Sequence, residues 1–350
     1  MSQILTVMIK NSNLMSTELH QILSIIGGDK SISDFVIECN SYDELLKRIH
    51  LDRVKGRWES FYPELLFEIF KTNNDIRFLN EILWFDQNKE IIVKAKEIFY
   101  RNISRTGHYN FNYSKELKFC LDLSSDETET YEFNLLNEKK ICLIGNPFHF
   151  IKVYRVLSKY NINVNVFNVE VESGKKRIYE KYPLRIFLKF IYKMVFRKND
   201  FYEFKLSTSK DLKLIEMPFN YDIGFHKLNY IIPTSLYAQL KHGLINDHWG
   251  ALPLFKGRST LDYSKLFGAN LIATNHFIHK KIDSGKIICY TELNPDRLNR
   301  EIYLGLSDRI IKSLIMFFKE GTKENIDNRE GIVFYEMHPW LKKYIKRKLH

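Results

Sequence analysis

Apolar residues change their period several times along this chain. Phe61, Leu65, Leu66 and Phe70, then Phe78, Ile82 and Leu83, recur at helical spacing, which predicts helices over 59–73 and 76–85. Before them, the runs Ile4 to Ile9 and Asp34 to Glu38 predict two strands. A helix through Leu19, Leu23 and Ile26, ending at Gly27 and Gly28, lies between them. The middle of the chain reads differently. Ile141 to Ile144 is a short apolar run that ends in Gly145, Asn146 and Pro147, as a buried parallel strand turning into a helix over 148–160 does. Val164 to Phe167 is the next strand, and strand-helix-strand order argues for a right-handed crossover and a parallel sheet. Asp222 to His226 is a further strand, with its exit at Tyr230 to Pro233. Thr234 or Ser235 is placed to cap a helix through Gln239 and Leu240 that ends near Gly243. Leu244 and Ile245 then lead into a loop at Asn246. Ligands of open α/β sheets bind beyond the carboxyl ends of strands, where such a loop belongs.

Three further helices are predicted. Residues 184–198 carry Arg185, Lys189, Lys193 and Arg197 at i+4 spacing, read as the solvated face of a core helix in preference to a membrane or anion stripe. Ile302, Leu306, Ile310 and Leu314 mark a helix over 297–318. A strand over 331–335 and a short amphipathic helix follow. The acidic stretch from Asp122 to Tyr131, with Asn137 to Lys140 after it, reads as a linker or an exposed hairpin. It separates an accessory α/β domain over 1–135 from a larger unit. That unit divides into a core over 139–300 and an extension over 301–350 that packs on it.

The 350 residues suffice for two domains. An apolar fraction of 45 % with 26 Phe and 20 Tyr excludes a disordered chain. The net charge of +11 admits a small anionic substrate, a membrane surface or nucleic acid. No basic run interleaved with aromatics resembles a nucleic-acid module, so no nucleic-acid partner is expected. Cys39, Cys120, Cys142 and Cys289 form no CxxC pair and read as buried thiols of a reducing compartment. The first residues lack a basic n-region and a cleavage site. No stretch reaches the roughly 18 apolar residues of a spanning helix, so the expected location is the cytoplasm. His20, His50 and His108 are isolated and read as surface or core histidines. Gly145-Asn146-Pro147 is not a GxGxxG turn, so no dinucleotide site is read there.

Chemistry concentrates in the segment from Asn246 to Arg258 and in Asp283-Ser284-Gly285. Asn246 and His248, at i and i+2, share one side of an extended segment. An amide can donate to an oxyanion, an imidazole can move a proton near neutral pH, and a carboxylate can hold that imidazole in one tautomer. Singly, His248 is as readily a structural loop residue, and Asp283 an Asx-turn residue.

The combination Asn246-x-His248, Leu252-Pro253, Lys256-Gly257 and Asp283-Ser284-Gly285, with His276 to Gly285 as a strand entering the aspartate loop, resembles the folate-dependent formyltransferase superfamily. The resemblance covers about 139–300. One departure is Lys256 where the family usually has Arg, which keeps the charge but loses the bidentate fork. The resemblance implies a Rossmann-like formyltransferase core with a parallel-rich sheet; the smaller α/β domain in front of it resembles no family. It implies 10-formyltetrahydrofolate as co-substrate, no metal, and a primary amine as acceptor. Asn246 would stabilise the oxyanion. His248 would do so too or shuttle the proton. Asp283 would orient His248 and help to take the amine proton. Asp247, Trp249, Leu252, Pro253, Gly257 and Gly285 are the candidate folate-site residues, and Lys256, Arg258, Ser259 and Thr260 the candidate acceptor-site residues.

Chain length selects among the family's branches. Little follows residue 300 for a tRNA-binding barrel, and 1–135 is longer than the front domain of the formyl-folate hydrolases. The remaining branch is the sugar N-formyltransferases, and the turn from Gly257 to Thr260 resembles it. The expected acceptor is a dTDP-linked 3- or 4-amino-deoxy sugar for O-antigen or another surface polysaccharide, with a homodimer as the expected assembly. Two alternatives stand beside it: a formyltetrahydrofolate hydrolase with water as acceptor, and a non-catalytic ligand-binding module.

Overall fold

The apolar runs of the middle of the chain form one seven-stranded sheet. In this computed structural model the described residues are 22–28, 30–37, 39, 41–86, 88–109, 115–127, 131–171, 190–192, 194–329 and 331–348. The sheet strands are β1 (Lys140–Gly145), β2 (Asn163–Val171), β3 (Phe201–Leu206), β4 (Ile223–Lys227), β5 (Leu244–His248), β7 (Ile272–Phe277) and β8 (Ile287–Glu292). A short β6 (Phe255–Gly257) lies outside the sheet. The spatial order is β3-β2-β1-β4-β5-β7-β8. β3, β2, β1, β4 and β5 are parallel; β7 runs against β5, and β8 against β7. The direction of winding reverses between β1 and β4. That is the Rossmann-like switch point, outside which ligands of doubly wound sheets bind.

Alternation along each strand divides the sheet between two cores. Leu143, Phe225 and Ile245 face the layer of α6 (Ile151–Lys159) and α10 (Leu306–Glu320), packing with Val153, Leu157, Ile310 and Leu314. Cys142, Ile144 and Leu244 face the other way, toward Leu236, Leu240 and Tyr221. The helix expected over 297–318 is two helices, α9 (Leu298–Leu304) and α10, parted at Gly305, where an added Cβ would lie 2.7 Å from the Glu301 carbonyl. The helix after Pro233 is a single turn, α7 (Thr234–Tyr237). Its N-cap is Pro233, which has no side-chain acceptor to offer, and the Thr234 hydroxyl pairs with the Tyr237 hydroxyl at 3.0 Å. The acidic stretch is not a free linker. The Tyr290 N–H on β8 donates to Asp126 at 2.6 Å, Lys323 pairs with that carboxylate at 2.8 Å, and Ser125 accepts from the Glu292 N–H.

The chain divides into two compact units: 117–264 with 269–333, which holds the sheet, and 1–116 with 265–268 and 334–350. The second unit is helical in its described residues: α1 (Lys30–Ile37), α2 (Tyr42–Val54), α3 (Tyr62–Asn73), α4 (Ile76–Ile82), α5 (Lys89–Thr106) and α11 (Pro339–Lys348). The strand expected over Asp34 to Glu38 is helical instead, in α1, as far as Ile37. Ile32 and Phe35, both buried, sit at i and i+3, a spacing that buries one helix face; so short an apolar run fits either period until its neighbours are counted. The strand expected over Ile4 to Ile9, and most of the helix after it, lie outside the described residues, as do Arg185, Lys189 and Lys193. A cleft of about 560 Å³ in this unit is lined by Phe35, Arg48, Asp52, Arg57, Phe61 and Tyr62. Asp52 there meets Arg57 at 2.8 Å and the Tyr62 hydroxyl at 3.2 Å. Among the described residues no helix is long and apolar enough to cross a membrane.

Candidate active site

Asn246 and His248 do not sit in a loop: both lie on β5, at the carboxyl end of the parallel strands. The strand repeat of two puts them on one face and turns Asp247 to the other. Register then assembles a row across the sheet. Ile144 on β1 pairs with His226 on β4, His226 with Asn246 on β5, and Asn246 with His276 on β7. His248, opposite Thr274, begins the next row on the same face.

Asp283 arrives from the loop between β7 and β8. Its Oδ2 stands 3.4 Å from His248 Nδ1, and its Oδ1 stands 3.6 Å from His276 Nε2. The loop is held from several sides. Asp283 has φ +47°, a left-handed conformation that aspartate tolerates better than most residues. The Gly257 N–H donates to Asp283 Oδ2 at 2.9 Å. The Asn328 amide donates to the carbonyls of Asp283 and Gly285, at 3.0 and 2.6 Å. Buried Lys256 donates to the Asn328 carbonyl at 2.6 Å. Gly285 has no alternative, since a Cβ there would lie 1.7 Å from the Phe277 carbonyl oxygen. Gly257 has φ +91°, open to glycine and costly for other residues.

Hydrogen bonds fix the tautomers. His276 Nδ1 must donate to its acceptor, the Phe277 carbonyl at 2.8 Å, so Nε2 of the neutral ring accepts from Asn246 Nδ2 at 3.3 Å. One Asn246 N–H is thereby used, which orients the amide. His248 Nε2 donates to the Phe255 carbonyl at 2.7 Å, and its Nδ1 is left facing Asp283. Burial pushes the His248 imidazole below its ordinary pKa, and Asp283 offsets part of that push. Burial alone would raise the Asp283 carboxyl, but His248 and the Gly257 N–H hold it well below the usual carboxylate range. At neutral pH the pair is therefore a neutral imidazole beside a carboxylate. A proton arriving at Nδ1 is stabilised by the charge 3.4 Å away.

On the opposite face Asp247 belongs to an ion cluster. Arg309 of α10 grips it with Nε to Oδ1 at 2.8 Å and Nη2 to Oδ2 at 3.0 Å. Lys227 reaches Oδ2 at 3.3 Å and Trp249 Nε1 donates to it at 2.9 Å. Burial would raise this carboxyl, but Arg309 and Lys227 hold it well below the ordinary range. Lys227 also lies 4.2 Å above the Trp249 ring.

The expected site residues thus separate into groups. Asn246, His248 and Asp283 meet. Asp247 and Trp249 build the cluster behind the sheet. Lys256, Gly257 and Gly285 shape the aspartate loop. Leu252 and Pro253 form a buried cis peptide turn, held by Leu252 N–H donating to Thr274 Oγ1 at 3.2 Å and by Tyr290 OH donating to the Leu252 carbonyl. Thr260 opens the short helix α8 (Thr260–Leu266); it is buried, and its hydroxyl donates to the Trp249 carbonyl. Arg258 is exposed, and Ser259 has φ +55°. The sequence pattern does not single out His226, His276, Lys227 or Arg309 as site residues. Alternation along Asp222 to His226 would put His226 on the Asn246 face, given a parallel register. Arg309 carries no local signal, because only the docking of α10 brings it to Asp247. Among the described residues no group of three or more His, Cys, Asp or Glu is placed to hold a metal ion.

No family model and no curated protein matches the sequence. Solved structures similar to the chain include a sugar N-formyltransferase from Shewanella, 13% identical with a TM-score of 0.38, over 56% of this chain and 76% of that one. A 4-N formyltransferase from Francisella tularensis is 16% identical, with a TM-score of 0.42, over 60% and 87%. The formyltransferase PseJ from Anoxybacillus kamchatkensis, solved with UDP-4,6-dideoxy-4-formamido-L-AltNAc and tetrahydrofolate, is 17% identical with a TM-score of 0.34, over 59% and 90%. Likenesses of this size carry no functional weight of their own; the chemistry has to be read from the side chains that meet at the end of β5.

Proposed function

We propose that this chain is a folate-dependent N-formyltransferase of the sugar branch, which moves a formyl group from 10-formyltetrahydrofolate to the amine of a nucleotide-linked amino sugar. One observation carries the reading: Asn246, His248 and Asp283, the aspartate 35 positions after the histidine, converge at the carboxyl ends of the strands beside the switch point. The donor set suits a formyl carbonyl, because Asn246 has one amide N–H bound to His276 and a second left to donate. When bound, the folate supplies the formyl group. Asn246 donates to the carbonyl oxygen on which negative charge develops, an interaction worth roughly 10²–10³ in rate at comparable sites. His248 takes the proton of the attacking amine at Nδ1 and Asp283 stabilises the imidazolium; the proton then passes to the folate nitrogen as its bond to the formyl carbon breaks and tetrahydrofolate leaves. General base action of this kind contributes about 10²–10⁴.

The acceptor is an amino sugar on a nucleoside diphosphate, in our reading a dTDP-linked 3- or 4-amino-deoxy sugar destined for a surface polysaccharide. The net charge of +11 suits an anionic acceptor without selecting one. Four buried free thiols suit a reducing compartment, which we take to be the cytoplasm. The test is mass spectrometry of reactions with 10-formyltetrahydrofolate and a panel of dTDP-, UDP- and GDP-amino sugars. One sugar should gain a single formyl group. Formate release with every sugar unchanged would assign a hydrolase, and no product of either kind would remove the enzymatic reading.

A further inference from the structure

His226 stands in the row with Asn246 and His276 but has no part in the reaction as proposed. It lies at the end of β4 and is 4 % exposed. The Leu228 N–H donates to its Nδ1 at 3.3 Å, so that nitrogen must carry the lone pair, and the proton of the neutral ring sits on Nε2. Nε2 is buried and has no hydrogen-bond partner among the described residues. A buried donor without an acceptor costs about 1–3 kcal/mol, so native structures seldom keep one without use. His226 is the register partner of Asn246, and parallel neighbours lie about 4.8 Å apart, so the two side chains leave one face side by side. Burial, with Lys227 adding to it against the pull of Asp283, holds the ring neutral, at a pKa of about 3. A donor built this way does not change with pH over the working range.

We infer that His226 is a second neutral donor of the site, giving its Nε2–H to the same formyl oxygen that Asn246 serves. A carbonyl oxygen has two lone pairs and accepts from both. The inference rests on the formyl-transfer reading. It goes beyond that reading by giving the enzyme a means of telling formylated folate from tetrahydrofolate, since only the former carries the acceptor.

The test is equilibrium binding to the full-length protein, followed by intrinsic tryptophan fluorescence, with 10-formyltetrahydrofolate and tetrahydrofolate as separate probes and no amine present. His226→Leu should weaken 10-formyltetrahydrofolate about tenfold and leave tetrahydrofolate within about twofold. His226→Gln, whose side-chain amide can still donate, should recover most of the loss. If the wild type prefers the formylated probe and His226→Leu keeps that preference, the inference fails while the formyl-transfer reading stands. If the wild type binds neither probe, both fail. Should His226→Leu not fold, ¹⁵N NMR of the histidine-labelled wild type decides: a proton on His226 Nε2 that becomes protected from exchange only with the formylated probe supports the assignment. A proton on Nδ1 overturns it.

Discussion

The two nitrogens of His248 face different partners, and that asymmetry sets what substitution does. Nε2 is committed to the Phe255 carbonyl, so in the proposed reaction proton transfer falls to Nδ1 beside Asp283. His248→Asn and Asp283→Asn should each lower turnover by about 10²–10⁴ with little change in the far-UV spectrum of the folded protein. Asn246→Ala should cost roughly 10²–10³ in turnover. Acid should weaken the fold for a related reason. Burial sets His226 at about 3 and pushes His248 and His149 below the ordinary imidazole value. The unfolded chain binds these protons near pH 6.5 and the folded chain does not. Stability is therefore full above about pH 6.5 and falls as pH drops from there toward 3, by at most about 1.4 kcal/mol per pH unit for each such residue. Urea midpoints at about pH 7.5 and about pH 5 should differ, and His226→Gln should shrink the difference. A midpoint independent of pH in this window would contradict the neutral, buried histidines.

β5 carries two functions on five residues because its alternation sends neighbours to opposite faces. Asn246 and His248 face the site; Asp247, between them, anchors α10 through Arg309. Removing Arg309 leaves a buried carboxylate without its bidentate partner, so Arg309→Met should destabilise by about 3–5 kcal/mol, and Asp247→Asn in the same chain should recover part of it, both read by urea unfolding. In the β7–β8 loop, Gly285→Ala would drive a Cβ into the Phe277 carbonyl. It should displace Asp283 and remove activity even where the protein still folds, as activity assays and circular dichroism together would record. These arrangements mark how far the sequence is legible. The i, i+2 spacing is enough to place Asn246 beside His248, and by the same rule Asp247 belongs on the far side; its position inside the motif points to the folate site instead, and the strand period prevails. β1, β2 and β4 are readable from apolar runs bounded by Gly, Pro and polar residues. The Asp34 to Glu38 segment is not, since so short a run holds too few apolar positions to separate a period of about 2 from one of about 3.6. The register that brings His226 and His276 to Asn246 is a property of strand order, which no local pattern encodes.

Across the whole sheet, strand order explains why the proposed site lies where it does. The order β3-β2-β1-β4-β5 reverses its winding between β1 and β4, where doubly wound sheets bind their ligands. The antiparallel return through β7 and β8 carries the Asp283 loop to the end of β5. A parallel sheet alone would present Asn246 and His248 without their carboxylate. Ser125 and Asp126, outside the motif, secure the β8 edge on which that return depends. Asp126→Ala should therefore loosen β8, seen as faster amide hydrogen exchange at Tyr290 than at β1. In the proposed reaction Asn246, His248 and Asp283 act together on a formyl group. This is tested most directly by single-turnover transfer from ¹³C-formyl-labelled 10-formyltetrahydrofolate to the best nucleotide amino sugar, with the product weighed by mass spectrometry. One labelled formyl group is expected on the sugar amine in the wild type, and at least about a hundredfold slower labelling in His248→Asn. Labelling at an unchanged rate in His248→Asn would contradict it.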